Sequence, residues 1–397
     1  MKLLYDLEQR IWVLPKGERP SYSFGKNRME LPFLQDSSIN TLSFDLKCDK
    51  SGNIGPLVGI MTGRKKNDHV AGNGILFKRI QSEIILNGGI SFVFTPEDIT
   101  NERVNGFMFV PDKDQWIRVE CPLPHLIYNR IPFRRVENTK AFQEVIKICK
   151  KRGISHFNPS FLNKYTLYTL FKSHPSLQEF FPETIMTNDP KEFQAFLEKH
   201  SSLYMKPIKS AKGKGICRLT LQNNGTIVMN STEKQTSYDN ADHFWESCSH
   251  SIDWNRYLWQ EAIPPALYNG QRFDFRILAH YTDLGYSVTG VGIRQSEGQD
   301  VTTHIPRGGK VIPYEELRNQ QHDLFIKKIV EECGDYLTKE LGFFGEFSID
   351  AGISENGNYV IYEINSKPMS FDEEDIEELR VKKLCELFFH LSKFELR

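Results

Sequence analysis

Alternating apolar and polar positions near the end of the chain predict two β-strands joined by a short turn. β-branched and aromatic residues alternate with polar ones at residues 345–350 and again at residues 359–365. The connection contains Ser-Glu-Asn-Gly-Asn, which is the composition of a turn. We therefore predict an antiparallel pair of strands that places Asp350 opposite Glu363 and Asn365.

Three side chains of this predicted hairpin carry oxygen ligands: Asp350, Glu363 and Asn365. Because Glu363 and Asn365 are two residues apart in one strand, their side chains project from the same face. Such oxygens suit Mg²⁺ or Mn²⁺, and Mg²⁺ usually adds water and substrate phosphates to one or two carboxylates. A solvated acidic hairpin is the alternative, but these acids lie within apolar strands, where an uncompensated charge is costly. The pattern therefore favours a metal site.

The remaining pattern predicts helices and strands in mixed order. Short apolar runs broken by prolines indicate a small β-rich unit at residues 1–55, and the strand spacing at residues 56–135 indicates an α/β domain. Residues 136–397 are predicted to form a third, α+β domain. Its predicted helices cover residues 138–152 and 315–340, and two further helices are predicted to begin at residues 189 and 374. Its predicted strands before the acidic hairpin are at residues 203–207, 215–221, 226–229, 257–263, 273–281 and 286–293.

Composition excludes some classes of function. The 397 residues are enough for two or three domains, and 50 Lys and Arg balance 51 Asp and Glu, for a net charge of −1. This balance offers no electrostatic support for a nucleic-acid partner. No apolar run of about 18 residues is present, so we expect no membrane span, and Asp6 comes too early for a signal peptide. Seven scattered cysteines without a C-x-x-C pair are typical of reduced thiols, so we expect a cytoplasmic protein.

A phosphate-binding segment is predicted upstream of the acidic hairpin. A strand carries Lys206 and is followed by a small-residue loop that contains Lys212, Gly213 and Gly215. Glycines let backbone N–H groups approach an anion closely, and lysines add positive charge. The segment lacks the Gly-Lys-Ser/Thr ending of a Walker A motif, and a strand is expected to follow it instead of a helix. An ordinary surface hairpin is the alternative, and phosphate binding is favoured because a metal site is predicted in the same domain.

The strand at residues 257–263 carries a polar pair that suits recognition of a base. Gln260 and Glu261 interrupt its apolar pattern shortly before Ile263. Backbone groups here could contact an adenine edge, while one of the two polar side chains binds amino or hydroxyl groups. An edge strand with ordinary polar residues is the alternative.

Four charged residues are predicted to share the inner face of a sheet. Arg272, Asp274 and Arg276 alternate with phenylalanines, and Arg294 ends the next strand. Buried arginines are costly without anionic partners, so phosphate or carboxylate groups are their natural ligands. A structural ion pair with Asp274 or a neighbouring acid is the alternative.

Taken in order, these motifs resemble those of the ATP-grasp superfamily over residues 128–371. Lys164 occupies the place of the lysine that precedes the first helix of the family's nucleotide domain. The family continues with a lysine strand and glycine-rich loop, an adenine hinge, and an aspartate followed by Glu-x-Asn and a proline. The corresponding residues here are Lys206, Gly213 and Gly215, then residues 260–263, and then Asp350, Glu363, Asn365 and Pro368. The resemblance implies an α+β ATP-grasp fold, in which two subdomains sandwich the nucleotide, preceded by a pre-ATP-grasp α/β domain at residues 56–135.

The chain is also similar to a narrower group within that superfamily. Asp-Phe-Arg at residues 274–276, Arg294 and residues 304–309 look like the branch that ligates amino acids to peptides. Asn-Arg-Ile-Pro, Arg-Phe-Asp-Phe-Arg and Glu-Ile-Asn-Ser-Lys-Pro look like the endospore-coat-associated YheC/YheD family. Two positions depart from relatives: Ser348 replaces an arginine of D-alanine–D-alanine ligases, and His304 replaces the usual asparagine of the peptide-ligating branch.

The resemblance implies an ATP- and Mg²⁺-dependent ligase that joins a carboxylate to an amine through an acylphosphate. Small-molecule or peptide substrates are implied, with spore coat proteins as partners and the endospore coat as a location. The implied roles are nucleotide binding by Lys164, Lys206, Lys212, Gly213, Gly215, Gln260, Glu261 and Ile263, catalysis by Arg276 and Arg294, substrate binding by Arg272, Asp274 and Arg307, and metal binding by Asp350, Glu363 and Asn365. Residues 297–310 are expected to close over the substrate.

Two other functions stay open. A nucleotide-binding component of a spore coat or its assembly machinery would bind ATP without ligase turnover. A small-molecule kinase would form ADP but no amide bond. A complete set of metal ligands argues against an inactive site, because a buried acidic cluster without its ion costs stability.

Overall fold

The computed structural model describes residues 1–17, 22–34, 40–65, 69–208, 215–231, 234–296 and 309–396. Its N-terminal part contains small sheets. One sheet consists of β1 (Lys2–Asp6), β2 (Ile11–Val13) and β5 (Thr41–Asp45), in the order β2-β1-β5. The other consists of β3 (Ser23–Phe24), β4 (Met29–Glu30), β6 (Lys47–Cys48) and β7 (Asn53–Gly55), in the order β4-β3-β7-β6. The Trp12 ring contacts Phe24 of one sheet and Phe44 of the other, so the two sheets share an apolar core.

The next sheet mixes parallel and antiparallel strands. Its order is β11-β10-β9-β8-β12-β13, with β8 (Leu57–Met61), β9 (Ile90–Phe94), β10 (Arg103–Val110), β11 (Gln115–Pro122), β12 (Leu126–Asn129) and β13 (Ser155–Phe157). The neighbours β8, β9, β12 and β13 run parallel, which requires crossover connections. Helices supply two crossovers: α1 (Gly74–Leu86), which the sequence pattern did not predict, and α3 (Lys140–Arg152), preceded by the short α2 (Arg134–Glu137).

The predicted helix at residues 138–152 is confirmed as α3. Thr139 caps its first turn by accepting a hydrogen bond from the Phe142 N–H, and Gly153 ends it in the left-handed conformation at φ 61°. Phe142 and Val145 lie on its buried face, as the spacing predicts.

An α+β unit follows, built around an antiparallel sheet ordered β14-β19-β15-β16-β17-β18. Its strands are β14 (Thr184–Ile185), β15 (Ser202–Pro207), β16 (Cys217–Leu221), β17 (Ile227–Asn230), β18 (Gln235–Tyr238) and β19 (Tyr257–Glu261), and its helices are α4 (Lys164–Lys172), α5 (Pro190–His200) and α6 (Ala241–Ser249). Asp189 caps α5 and Pro190 is its first residue, as predicted. Aromatic rings fill the core between helices and sheet; Phe193 and Trp259 lie 4.5 Å apart between ring centroids.

The last sheet is ordered β23-β22-β21-β24-β25 and carries the acidic hairpin. Its strands are β21 (Gln271–Thr282), β22 (Gly285–Ser296), β23 (Gly309–Ile312), β24 (Glu346–Ile353) and β25 (Tyr359–Asn365), with β20 (Leu267–Tyr268) paired to the start of β21; its helices are α7 (Gln320–Leu341) and α8 (Glu374–Ser392). Helix α7 begins later than predicted, because residues 314–316 form a 3₁₀ turn and Asn319 caps the helix.

The two faces of this last sheet differ in polarity. Phe275 and Ile277 of β21 face α7 in one apolar cluster. The alternate residues Asp274 and Arg276 therefore project from the other face. Helix α8 covers only part of that face, where Leu278 packs against its residue Ile376, so the charged positions lie at the part that α8 leaves uncovered.

A buried ion network joins the α/β sheet to the last sheet. The fully buried carboxylate of Glu346 accepts hydrogen bonds from Arg130 at 3.0 Å and from Arg380 at 3.0 and 3.1 Å. Both arginines also donate to the carbonyl oxygen of Pro368, at 2.8 and 3.1 Å. Burial alone raises the pKa of Glu346, but Arg380 and Arg130 outweigh burial and hold that pKa well below its usual range. The network therefore contains an ionised carboxylate that depends on its arginines.

Among the described residues, no helix combines the length and the hydropathy that crossing a bilayer requires.

Candidate active site

A cleft between the sheet of β15 and β19 and the sheet of β21 to β25 collects most of the predicted site residues. The described residues that line it are Lys164, Pro182, Tyr204, Lys206, Ile216, Gln260, Glu261, Ile263, Arg272, Phe273, Asp274, Arg294, Asp350, Tyr362 and Glu363. They come from α4, from strands of both sheets and from the segments that follow them. Residues far apart in the sequence thus converge on one cavity that combines apolar and charged side chains, as ligand sites commonly do.

The acidic hairpin places two carboxylates side by side. Asp350 of β24 pairs with Glu363 of β25, as predicted. The prediction that Asn365 also lies opposite Asp350 is wrong, because Asn365 pairs with Ser348, one step further along the same face. In the described part of the chain, Asn365 is not among the cleft-lining residues, whereas Asp350 and Glu363 both line the cleft.

Each of these acids contacts a basic residue. Lys164, the first residue of α4, donates to the Glu363 carboxylate. The Arg294 guanidinium lies 3.2 Å from Asp350 and donates to both oxygens of Asp274, at 2.8 and 3.1 Å. The sequence left two alternatives open for these arginines, an anionic ligand or a structural ion pair. The ion pair between Arg294 and Asp274 is present.

The environment of Arg294 keeps its guanidinium charged. Burial by itself lowers the pKa of Arg294, but the carboxylates of Asp274 and Asp350 outweigh burial and raise that pKa above its usual value. The cleft therefore holds a fixed positive charge next to its acids.

Lys206 is a further cation of the cleft, in addition to Lys164 and Arg294. The Lys206 ammonium donates a hydrogen bond to Gln260 Oε1. Gln260 Nε2 in turn donates to Thr184 Oγ1 at 3.0 Å. Burial and the nearby charge of Lys164 lower the pKa of Lys206 to about 8, although Glu363 partly opposes them. An anionic ligand in the cleft would favour the charged form of Lys206.

The predicted adenine hinge is the end of β19. The Glu261 N–H donates to the Glu183 carbonyl at 2.9 Å, and the Ala262 N–H donates to the Ser202 carbonyl at 3.0 Å. These donors are therefore used within the sheet. Ile263 follows the strand and, like Gln260 and Glu261, lines the cleft.

Arg272 and Arg276 occupy different surroundings, although both lie on the polar face of β21. Arg272 lines the cleft and donates to Tyr204 Oη at 3.1 Å, which links the two sheets. Arg276 pairs with Asp350 across β21 and β24, but its guanidinium donates to the Met369 carbonyl at 2.9 Å. Burial lowers the pKa of Arg276. Among the described residues, those lining the cleft do not include Arg276.

Some cleft residues were not predicted as site residues, notably Tyr204 and Tyr362. Tyr204 is two residues before Lys206 in the same strand, so the alternation of side chains would have placed it on the same face. Tyr362 precedes Glu363 at an irregularity in the β24–β25 pairing, and such an irregularity cannot be read from local spacing. Burial raises the pKa of its hydroxyl.

Part of the predicted site lies outside the described residues. Lys212, Gly213 and Arg307 belong to this part, as does most of the predicted closing segment at residues 297–310. Gly215 is described and has a left-handed φ of +73°, a conformation that favours glycine.

The fold and the family model agree on the class of protein. D-alanyl-alanine synthetase A from Vibrio cholerae O1 biovar eltor str. N16961 aligns over 85% of this chain and 99% of its own chain, with a TM-score of 0.53 and 10% identity. The model of the YheC/D like ATP-grasp family matches residues 153–394. The fold is thus ATP-grasp, and the chain belongs to the YheC/D-like ATP-grasp family.

A curated relative points the same way. The endospore coat-associated protein YheD of Bacillus subtilis (strain 168) is 26% identical to this chain over 344 residues, which is 81% of this chain and 74% of the relative. The similarity therefore extends well beyond the segment that the family model matches.

Proposed function

We propose that this protein is an ATP- and Mg²⁺-dependent ligase that joins a carboxylate to an amine through an acylphosphate. One observation carries the proposal: Lys164 and Lys206 meet Asp350 and Glu363 in a single cleft. A nucleoside triphosphate with its metal needs both kinds of group, cations for the phosphates and carboxylates for the metal.

The two paired acids fit a magnesium ion. Asp350 and Glu363 are directly opposite in neighbouring strands, and Mg²⁺ commonly takes one or two carboxylates and completes its shell with water and phosphate oxygens. The described residues contain no cluster of three or more His, Cys, Asp and Glu side chains suited to a metal, so phosphate oxygens and the amide of Asn365 would complete the set. When bound, Mg²⁺ would neutralise the phosphate charge.

The lysines would hold the nucleotide. Lys164 and Lys206 approach the cleft from different elements, α4 and β15. They would bind the α- and β-phosphates as charge-assisted donors. Ile263 and Glu261, at the end of β19, would contact the adenine and ribose.

The arginines would act on the reacting groups. A substrate carboxylate oxygen would attack the γ-phosphorus, ADP would leave, and an amine would then attack the acylphosphate carbon and release phosphate and a proton. Arg294 would stabilise the negative charge of the transferred group. Arg276, opposite Asp350, would join it after exchanging the Met369 carbonyl for phosphate. Arg272 and Asp274 would position the amine or carboxylate substrate.

Amino acids or peptides are the proposed substrates, and the endospore coat is the proposed location. The proposed location rests on the name of the Bacillus subtilis relative, endospore coat-associated protein YheD. The same name supports a second candidate, a coat component that binds ATP without turnover.

ADP release from ATP and Mg²⁺, measured with a panel of amino acids and short peptides, tests the proposal. Substrate-dependent release with an amide product in the mass spectrum is expected. Glu363→Gln should abolish release, and Glu355→Gln, at an exposed glutamate in the turn of the same hairpin, should not. ATP binding without turnover over the whole panel would favour the coat component, and ADP with a phosphorylated product but no amide would favour a kinase.

A further inference from the structure

A second groove lies beside β22 and shares no lining residue with the cleft. It has a volume of about 750 Å³. Residues 287–291 of β22 form its floor, and residues of α7 and α8 form its walls. Residues 313–315 and Arg318 also line it. The groove is therefore separate from the cleft in which the proposed ligase reaction would take place.

The floor of the groove is an open edge of the sheet. β22 pairs with β21 over residues 285–295, with one irregularity at Thr289, but β23 pairs with it only at residues 293–296. Among the described residues, no strand pairs with the outer edge of β22 at residues 287–292. An open edge presents backbone donors and acceptors to any chain that arrives in an extended conformation.

The helices flank this edge without covering it. On one face of the sheet, a Cβ atom at Gly290 would lie 2.8 Å from Ile376 of α8. On the other face, a Cβ atom at Gly334 of α7 would lie 2.3 Å from the ring of Tyr286. These close approaches fix a helix on each side of β22. Val288 of β22 and Leu379 of α8 keep 37% and 40% of their surface exposed, which gives the groove apolar contact points.

The charged residues around the groove are mostly acidic. Five are acids, namely Glu315, Asp323, Glu331, Glu373 and Asp375, and two are basic, namely Arg318 and Lys327. Both basic residues have acidic partners within the groove: Arg318 lies 3.1 Å from Asp323, and Lys327 lies 3.8 Å from Glu331. The groove therefore carries a net negative charge, which attracts a basic partner and repels nucleic acid or an anionic membrane.

We propose that this groove binds an extended peptide segment rich in lysine or arginine, which adds to β22 as a further strand. The backbone of the segment would pair with residues 287–292. Its apolar side chains would contact Val288 and Leu379, and its basic side chains would face Glu315 and Asp375. β22 also carries Arg294 into the cleft, so the segment would dock on the strand that supplies a residue of the proposed active site.

Fluorescence anisotropy with labelled peptides tests the proposal on the full chain. The probe is a peptide of alternating lysine and valine. One control peptide replaces lysine with glutamate, and two others carry N-methyl groups on the lysines or on the valines. The groove variant is Glu315→Lys with Asp375→Lys. The matched control is Glu355→Lys with Glu378→Lys, which makes the same charge change at exposed residues outside the groove.

The lysine–valine peptide should bind the unmodified protein, and the groove variant should bind it about fivefold or more weakly. The control variant should bind it as the unmodified protein does. The glutamate peptide should bind about tenfold more weakly than the lysine–valine peptide, because its charges repel the acidic groove. In an extended peptide only alternate N–H groups face β22, so the N-methylated peptide that has lost those donors should also bind about tenfold more weakly. Absence of binding at about 1 mM, equal losses in both variants, or undiminished binding of both N-methylated peptides would overturn the proposal.

Discussion

Lys164, the first residue of α4, donates a hydrogen bond to the carboxylate of Glu363 in β25, 199 positions later in the chain. A cation proposed to bind phosphate and an acid proposed to bind metal are therefore in direct contact. Only 16% and 29% of the two side chains are exposed, so solvent screens this ion pair less than it would at the surface. We expect Mg²⁺ and ATP together to replace the pair, with the metal on Glu363 and phosphate on Lys164.

Replacing Lys164 by methionine should therefore change two affinities in opposite directions. ATP should bind about tenfold more weakly, because a charge-assisted hydrogen bond to phosphate is lost. Mn²⁺ alone should bind more tightly, because Lys164 no longer competes for Glu363. Calorimetry measures the first affinity and electron paramagnetic resonance the second. Lys172→Met, at the exposed end of the same helix, serves as the control, and unchanged ATP affinity in Lys164→Met would contradict the assignment.

ATP binding should weaken as the pH rises through about 8, which is the lowered pKa of Lys206. Phosphate favours the protonated lysine, so the protein should take up a proton on binding ATP near this pH. Calorimetry in buffers of different ionisation enthalpy measures that uptake. Lys206→Arg should bind ATP with a flatter pH profile and without the uptake, because arginine stays charged. The same uptake in Lys206→Arg would exclude Lys206 as its source.

The same pKa shift affects the stability of the ligand-free protein. Between about pH 8 and 10.5 the unfolded chain retains the proton that folded Lys206 releases, so the free energy of unfolding should rise with pH in this window. Urea denaturation at several pH values should detect the rise in the unmodified protein, and the rise should be smaller in Lys206→Met.

Removing the Arg380 guanidinium should destabilise the fold strongly. Arg380→Met leaves the buried Glu346 with fewer donors, and breaking a buried ion pair costs about 3–5 kcal/mol. Urea denaturation measures the loss, and Lys383→Met, on the same helix but with an exposed ion pair, should cost about 1 kcal/mol or less. A loss below about 1 kcal/mol in Arg380→Met would contradict the importance of the network.

The acid sensitivity of the unmodified protein should follow from the same network. Because the folded-state pKa of Glu346 is lowered, its contribution to stability is present above the usual glutamate value of 4.5 and is lost as the pH falls. Denaturation at decreasing pH should show this loss, and Arg380→Met should show less of it.

Local patterns predicted most elements of the later part of the chain. The acidic hairpin was expected at residues 345–350 and 359–365 and is found at Glu346–Ile353 and Tyr359–Asn365. Helix α5 begins at the predicted proline. These predictions succeed because alternation, capping and turn composition depend on neighbouring residues. The predicted start of α7 at residue 315 was wrong. Residues 315–319 have a composition that suits a helix, but residues 314–316 form a 3₁₀ turn and α7 begins at Gln320.

The sequence by itself determined which residue types could serve the site. Lysines, arginines and paired acids at fixed spacings predicted a phosphate and metal site, because spacing and side-chain chemistry are local properties. Only the tertiary structure decided that Lys164 contacts Glu363, that Arg276 turns towards Met369, and that the edge of β22 stays open. Such contacts depend on how distant segments pack and pair, and no local spacing contains that information.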